Sequence, residues 1–371
     1  MKESQINPYE HSEIKVKLLK TYLEMYVNIL TLSKFVKKVS VFDLFCGEGV
    51  YKNNKEGSPI IILKLLNELS KKYNTNITFD CFFNDKENSK IENLKTEVNN
   101  LSIKNHLINN IIFSNENYDD IKNSFYTGDT NKANKRFIFI DPYGYKDISV
   151  IDIEKYLSDG NTEVLLFLPT HFMYRFEKKG TPPILHKFLK EAIPNIENLN
   201  SSTGVEFIHK IRDGLGLKLK DKHYVDTFII SREKNEFFAL FFFTSHLYGF
   251  EKFLEAKWNI DSEQGRGWSP NLARDLFSQL EERANIDDFE NKLKLFLSIE
   301  RSNIEVHKFT IENRHLVKHT NQLLKNWQNK NELIINFTAE LKGKKGAFYI
   351  NWENVKTKVP SCYLKLKNGT I

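Results

Sequence analysis

Apolar positions along this chain fall into two kinds of block. Short unbroken runs, each closed by an acidic residue and then by Gly or Pro, occur at Val41 to Gly49 (VFDLFCGEG) and at Phe137 to Gly144 (FIFIDPYG). Such runs predict buried strands of a parallel sheet, and the breaker marks where a loop leaves the strand's carboxyl end. Ligands bind at that edge of open α/β sheets. The second kind repeats at three and four. From His11 to Val36 the positions Ile14, Leu18, Leu19, Tyr22, Leu23, Tyr26, Val27 and Leu30 share one face, which predicts a long amphipathic helix packed on the sheet. His11 and Lys15, four apart on its first turns, are placed to reach a carboxylate or phosphate, with a solvated surface as the ordinary alternative.

The two patterns then alternate. Val41, Phe42, Leu44 and Phe45 carry the first strand and place Asp43 in or near the interior. A buried carboxylate needs partners, and the amides of the following turn, or a ligand's ammonium group, would provide them. Gly47 and Gly49 permit a tight turn and a close approach of backbone to ligand, although a lone GxG also ends many strands. After a polar loop, Ser58 as N-cap and Pro59 at the first helical position start a helix, its positive end near the strand's carboxyl end. Ile77 to Phe83 predicts a second strand ending in NDKE, where Asp85, with Glu87 as second choice, is the candidate to bind a ribose. Asp85 would equally suit the N-cap of the helix that follows. A third strand, Ile111 to Ser114, runs into NENYDD, where Asn115 and Asn117 are candidates for an adenine contact.

The fourth strand ends in Asp141-Pro142-Tyr143-Gly144. Pro142 lacks an N–H and fixes its backbone, leaving carbonyls free to accept from an exocyclic amine. Asp141 would accept the other hydrogen, and Tyr143 would stack on a flat base. An ordinary Asp-Pro turn is the alternative, and the glycine loop a hundred or so residues earlier weighs against it. A fifth strand, Glu163 to Pro169, leads into mixed helix and loop from Thr170 to Lys222. There Lys178, Lys179, Lys187 and Lys190 lie near aromatics, as in a lid or substrate arm, or as in a solvated helical insertion. Tyr224 to Ser231 and Phe237 to Ser245 predict an antiparallel pair that closes a seven-stranded sheet. A helix begins near Gly249, and Arg266-Gly267-Trp268 leads a loop placed to cover the site.

Beyond Asn285 the pattern changes. Two amphipathic helices, Ile286 to Ile299 and His315 to Asn326, precede two strands, Leu333 to Phe337 and Ala347 to Trp352, joined by TAELKGKKG. This order predicts a winged helix. Lys318, Lys325, Lys342, Lys344 and Lys345 would lie on its second helix and wing, where phosphate contacts are made, and docking of a protein is the other use of such a domain.

Charge sharpens that division. Of 54 Lys and Arg and 48 Asp and Glu, residues 285–371 hold fifteen and nine, so the first 284 residues carry 39 of each and the whole excess of +6 sits in the tail. A chain of 371 residues, 40% of them hydrophobic, can bury a core of one large or two ordinary domains, here 1–284 and 285–371. Cys46, Cys81 and Cys362 are scattered without CxxC or histidine spacing, so disulfides and a zinc site are not expected. With no apolar run of bilayer length and a polar start, MKESQINPYE, the expectation is a soluble, cytosolic protein without a metal.

The order of these elements resembles that of class I S-adenosylmethionine-dependent methyltransferases of the Rossmann-like type. More closely, DLFCGEGVY with GSP a few residues on, FIDPYGYKDIS, EVLLFLPTHFMYRF and LYGFEKFLEAKWNID resemble the bacterial three-Cys-motif partner family, over most of the chain from about His11. The resemblance implies S-adenosyl-L-methionine as cofactor, with Asp43, Phe45, Gly47 and Gly49 at its methionine portion and Asp85 and Asn115 at its nucleoside. It implies methyl transfer to an exocyclic amine of DNA or RNA, with Asp141, Pro142 and Tyr143 holding the amine, and a radical-S-adenosylmethionine-like partner carrying three clustered cysteines. The matching tetrapeptide in amino-methylating enzymes is Asp-Pro-Pro-Tyr or a close variant. Here the second proline is missing and the aromatic moves up one place, which leaves Tyr143 or Tyr145 to stack. The alternative is an inactive scaffold that binds nucleic acid or serves as an adaptor for the partner. A dinucleotide oxidoreductase is disfavoured because the loop lacks the third glycine of GxGxxG.

Overall fold

Five strands, Lys38–Asp43 (β1), Thr78–Asn84 (β2), Ile108–Ser114 (β3), Asn134–Ile140 (β4) and Thr162–Leu168 (β5), run parallel, and Tyr224–Glu233 (β6) and Glu236–Thr244 (β7) close the sheet as an antiparallel pair. The computed structural model describes residues 10–51, 54–72, 76–101, 103, 107–125, 131–144, 146–194, 200–219, 222–233, 236–269, 286–338 and 343–367. With the two-residue strand Gly267–Trp268 (β8), the sheet has eight strands in the order β3-β2-β1-β4-β5-β7-β6-β8. The first seven make the Rossmann-like arrangement of class I methyltransferases, with its reversed seventh strand. Each β5 residue is buried, and from Val164 to Leu168 the strand reads as an unbroken apolar run.

Helices connect the strands. Glu10–Thr31 (α1) precedes β1, Ser58–Lys72 (α2) joins β1 to β2, Asn88–Asn100 (α3) joins β2 to β3, and Tyr118–Ile121 (α4) follows β3. Val150–Leu157 (α5) leads into β5 from a capping box in which Ser149 and Asp152 satisfy each other's backbone amides. The insertion after β5 holds three helices, Thr170–Lys179 (α6), Pro183–Ala192 (α7) and Gly204–Leu219 (α8). Lys187 and Lys190 are exposed on α7, whereas the side chains of Lys178 and Lys179 lie outside the described residues. Helix α1 is pinned by its own buried face. The Tyr22 hydroxyl donates to Glu163 at the start of β5, and the Thr244 hydroxyl donates to the other oxygen of that carboxylate at 2.7 Å. Burial pushes the Glu163 carboxyl up to about 7, against the opposing effect of these two hydroxyls.

Gly267 and Trp268 pair with Ile229 and Ile230 of β6 at the sheet edge, and the loop after them, expected to cover the site, lies outside the described residues. Glycine is needed there because a Cβ at 267 would lie 2.3 Å from the Ile229 carbonyl oxygen.

The chain divides into two compact units, Met1–Gly249 with Arg266–Asp275, and Phe250–Gly265 with Leu276–Ile371. Leu247–Trp258 (α9) therefore begins in the first and continues in the second. The second unit contains Asp287–Phe296 (α10), Arg301–Ser302 (β9), Asn303–Glu312 (α11), Val317–Asn329 (α12), Leu333–Phe337 (β10), Trp352–Val355 (α13) and Cys362–Leu366 (β11), with sheet order β10-β11-β9. The partner of β10 is thus Cys362–Leu366, and not the expected Ala347–Trp352. Phe348 and Ile350 instead drop into the core beside Leu323, Leu324 and Leu364, while the Asn303 amide takes the Tyr349 carbonyl at 2.7 Å and accepts from the Ser361 amide at 2.9 Å. Those backbone groups are satisfied without a ladder. No helix among the described residues is long and apolar enough to cross a membrane.

Candidate functional site

Strands β1 and β4 are hydrogen-bonded neighbours, with Asp43 in register with Phe139, so the two loops singled out in the sequence leave the sheet side by side. They enclose a cavity of about 250 Å³. Phe45 to Tyr51 form one wall with Gly57 and Ser58 at the start of α2. Asp141, Pro142 and Tyr143 form another, and Ser12, Lys15 and Val16 of α1, Lys90 of α3 and Phe167 of β5 complete it.

The glycine loop has its shape because two residues are left-handed. Gly47 has φ 67° and Gly49 φ 85°, values that cost a side-chain-bearing residue free energy. A Cβ at 49 would also meet Leu94 Cδ1 at 2.6 Å, whereas the space around Gly47 is open. The loop's amides are directed outward to neighbouring strands: Leu44 N–H to the Phe139 carbonyl at 3.1 Å, Cys46 N–H to the Asn84 carbonyl at 2.8 Å, and Gly47 N–H to Asp85 Oδ2 at 3.1 Å. Asn84, which carries no signal in the sequence beyond its place at a strand end, clamps this edge. Its amide donates to the carbonyls of Leu44 and Glu116 at 3.2 and 3.1 Å and accepts from the Glu116 amide at 3.1 Å.

Asp43 consequently loses the amides of Leu44, Cys46 and Gly47 as partners. It is 0% exposed, and neither oxygen has a partner in hydrogen-bonding geometry among the described residues. Burial pushes its carboxyl up to about 7. The Ser58 hydroxyl, the Phe45 amide and Lys15 favour the charged form without offsetting burial, and the Asp141 charge adds to the rise. A buried acid with free oxygens beneath a glycine cradle is ready to receive a cationic donor.

Asp85 joins the two loops. Besides Gly47, its Oδ2 accepts from the Tyr143 hydroxyl at 2.7 Å, its Oδ1 accepts from the Glu87 amide at 2.9 Å, and the Asn115 amide holds its carbonyl at 3.0 Å. The N-cap of α3 is Glu87, so Asp85 does not take that place. Lys90 Nζ donates to the Tyr143 hydroxyl at 2.5 Å and to Glu87 at 2.8 Å. Tyr143 therefore turns its hydroxyl inward onto Asp85 while the residue stays 58% exposed, with Lys90 4.4 Å from the ring centroid and Phe45 edge-on at 6.4 Å. Burial of the hydroxyl end and the Asp85 charge push the phenol well above its usual range. Tyr145, the other candidate to stack, lies outside the described residues.

Lys15 is buried, not solvated. It is 7% exposed, its ammonium pairs with Asp141 Oδ2, and its Nζ lies 4.6 Å from the centroid of the Phe167 ring. Burial alone would lower its pKa, but Asp141, Tyr51 and Asp43 outweigh that and raise it, so the lysine is held charged. The side chain of His11 lies outside the described residues.

In the second unit, Lys318 and Lys325 are exposed on α12, and Lys344 and Lys345 are exposed in the segment between β10 and β11. The Gly346 amide donates to Gln328 of α12 at 2.9 Å, and a Cβ at 346 would touch Lys325, which brings the segment against the helix. None of these four lysines has an ion-pair partner among the described residues. Lys342 lies outside them. Cys46, Cys81 and Cys362 are buried free thiols, and among the described residues no group of His, Cys, Asp and Glu is arranged to hold a metal ion.

No protein-family profile matches the chain, and no curated protein matches it. Solved structures do overlap it. Trm1 from Pyrococcus horikoshii, in complex with S-adenosyl-L-methionine, matches with a TM-score of 0.37 and 14% identity over 69% of this chain, which spans 61% of Trm1. The methyltransferase subunit of a type I restriction-modification system from Streptococcus thermophilus matches at 0.33 and 10%, covering 66% of this chain and 46% of its own. A SAM-dependent methyltransferase from Aquifex aeolicus matches at 0.26 and 15%, covering 64% of this chain and 99% of its own. Overlaps at these scores are loose, and the fold assignment rests on the strand order.

Proposed function

We propose that this protein is an S-adenosyl-L-methionine-dependent methyltransferase that methylates an exocyclic amine of a nucleic-acid base and works with a partner carrying a three-cysteine motif. The observation that carries the proposal is the cavity in which the glycine loop of β1 and the Asp141-Pro142-Tyr143 turn of β4 face each other. The residues fit the cofactor. The orphaned Asp43 carboxylate suits an ammonium group, the open backbone at Gly47 allows close approach, and Asp85, its carbonyl held by Asn115, sits at the β2 tip where a ribose would be bound. Once bound, the cofactor supplies a methyl group activated by a sulfonium.

The chain's own residues position and polarise. Asp141 keeps one carboxylate oxygen for an amine hydrogen, the carbonyls around Pro142 accept the other, and the exposed Tyr143 ring offers a stacking surface to a base. We read the second unit, helix–strand–helix–helix–strand–helix–strand in order, as a winged-helix-like domain, and its exposed Lys318, Lys325, Lys344 and Lys345 suit phosphates of DNA or RNA. The partner rests on the motif resemblance, and the three buried free thiols fit a reducing, cytoplasmic setting.

A second reading, an inactive scaffold that binds nucleic acid or adapts the partner, is favoured by one observation: Asp141 is already ion-paired and the Tyr143 hydroxyl is already engaged by Asp85. Calorimetry with S-adenosyl-L-methionine, followed by transfer of labelled methyl to DNA and RNA with the partner present, separates the two. The enzyme reading expects binding that Asp85→Ala abolishes and label in nucleic acid. Binding without transfer selects the scaffold, and no binding sinks the cofactor assignment.

A further inference from the structure

The Lys15–Asp141 ion pair lies within this cavity, and the roles assigned above do not use the lysine. An ammonium taken out of water is costly unless a fixed counter-charge stands beside it. Lys15 is nonetheless held there, in contact with the Phe167 ring and paired with Asp141, on a helix that the Tyr22 hydroxyl ties to Glu163. The ion pair brings together a helix and a strand loop 126 residues apart in sequence.

We propose that Lys15 determines the charge preference of the cavity: by cancelling Asp141, it keeps the site from holding the sulfonium cofactor more tightly than the neutral thioether left after transfer. The inference rests on the cofactor reading of the cavity. In the transfer, the nitrogen lone pair forms the new N–CH₃ bond, the S–CH₃ bond breaks with its electron pair staying on sulfur, and the nitrogen's excess proton is accepted at Asp141 Oδ1. Positive charge thus leaves sulfur during the step. A bare carboxylate beside the sulfonium would stabilise the starting state and lose that attraction as the reaction proceeds, which raises the barrier. With Oδ2 committed to Lys15, the pair is neutral towards sulfur, and Oδ1 is left for the amine. Lys15 is in this sense a positioning and charge-setting residue.

The test compares dissociation constants for S-adenosylmethionine and S-adenosylhomocysteine by calorimetry on the full chain. Lys15→Met leaves Asp141 uncompensated and shifts the ratio toward S-adenosylmethionine by about tenfold. Asp141→Asn leaves the ammonium uncompensated and shifts it the other way by a similar factor, and the double variant returns to within about twofold of wild type. Lys15→Arg preserves the pair and the ratio. Lys15→Gln is measured beside Lys15→Met, so the comparison does not hang on one variant folding. Both single variants moving the ratio in one direction, or neither moving it, would overturn the inference while leaving cofactor binding intact. A wild type that binds neither ligand overturns the cofactor reading itself.

Discussion

Asp43→Asn probes the buried acid directly. The rise of the Asp43 carboxyl from 3.8 to about 7 corresponds to about 4 kcal/mol at about 1.4 kcal/mol per pH unit. The folded-state pKa lies above the unfolded one, so below about pH 4 both states are protonated and the group costs nothing. Between about pH 4 and 7 the folded state keeps a proton that the unfolded state has lost, and stability falls as pH rises; above about 7 the full penalty applies. Asparagine is neutral throughout but leaves amide hydrogens unpaired in the same space, at about 1–3 kcal/mol. The variant is therefore expected to be more stable than wild type by about 1–3 kcal/mol at pH 8, and no more stable at pH 4.5. Thermal unfolding followed at both pH values reads this as a Tm difference of several degrees that vanishes or reverses in acid. Glu163 titrates over the same range, but it is present in both proteins and cancels in the difference. The same substitution removes the counter-charge for an ammonium group and should weaken S-adenosylmethionine binding by about tenfold or more. A Tm difference independent of pH, or a variant less stable at pH 8, would refute the picture of an orphaned carboxylate.

Three further outcomes follow from the same geometry. Gly49→Ala combines a left-handed backbone with a clash against Leu94 and should cost about 1–3 kcal/mol in denaturant unfolding, more than Gly47→Ala, where only the backbone is strained; equal costs would remove the packing contribution. Tyr143→Phe frees Asp85 Oδ2 from a 2.7 Å hydrogen bond and should tighten S-adenosylhomocysteine binding by about 2–10-fold in calorimetry, so weaker binding would show that the hydroxyl helps the ligand. Changing Lys318, Lys325, Lys344 and Lys345 to Glu should weaken DNA or RNA binding across sequences and lower the salt slope by about one for each phosphate no longer neutralised; an unchanged slope would direct the second unit toward a protein partner.

Local pattern was enough to place the strands and the two loops. Apolar runs closed by Gly or Pro mark β1, β4 and β5, most clearly the last two, whose final five residues are all buried and leave no polar face to blur the signal. That both loops open on one edge follows from parallel strands joined by helices. Other features depended on partners distant in the chain. The glycine-loop amides turned to Phe139, Asn84 and Asp85, which left Asp43 without them. Lys15 has the look of any helix-surface lysine until the packing of α1 brings it onto Asp141. Helix α11 falls between the two helices that periodicity predicts, although Ser302 and Glu305 spell out its capping box, and the third strand of the second unit came from Cys362–Leu366 because Phe348 and Ile350 were needed in the core. Periodicity and breakers report on a residue's own segment. Which buried charge meets which counter-charge is decided by the desolvation of both together, and only the tertiary structure brings both together.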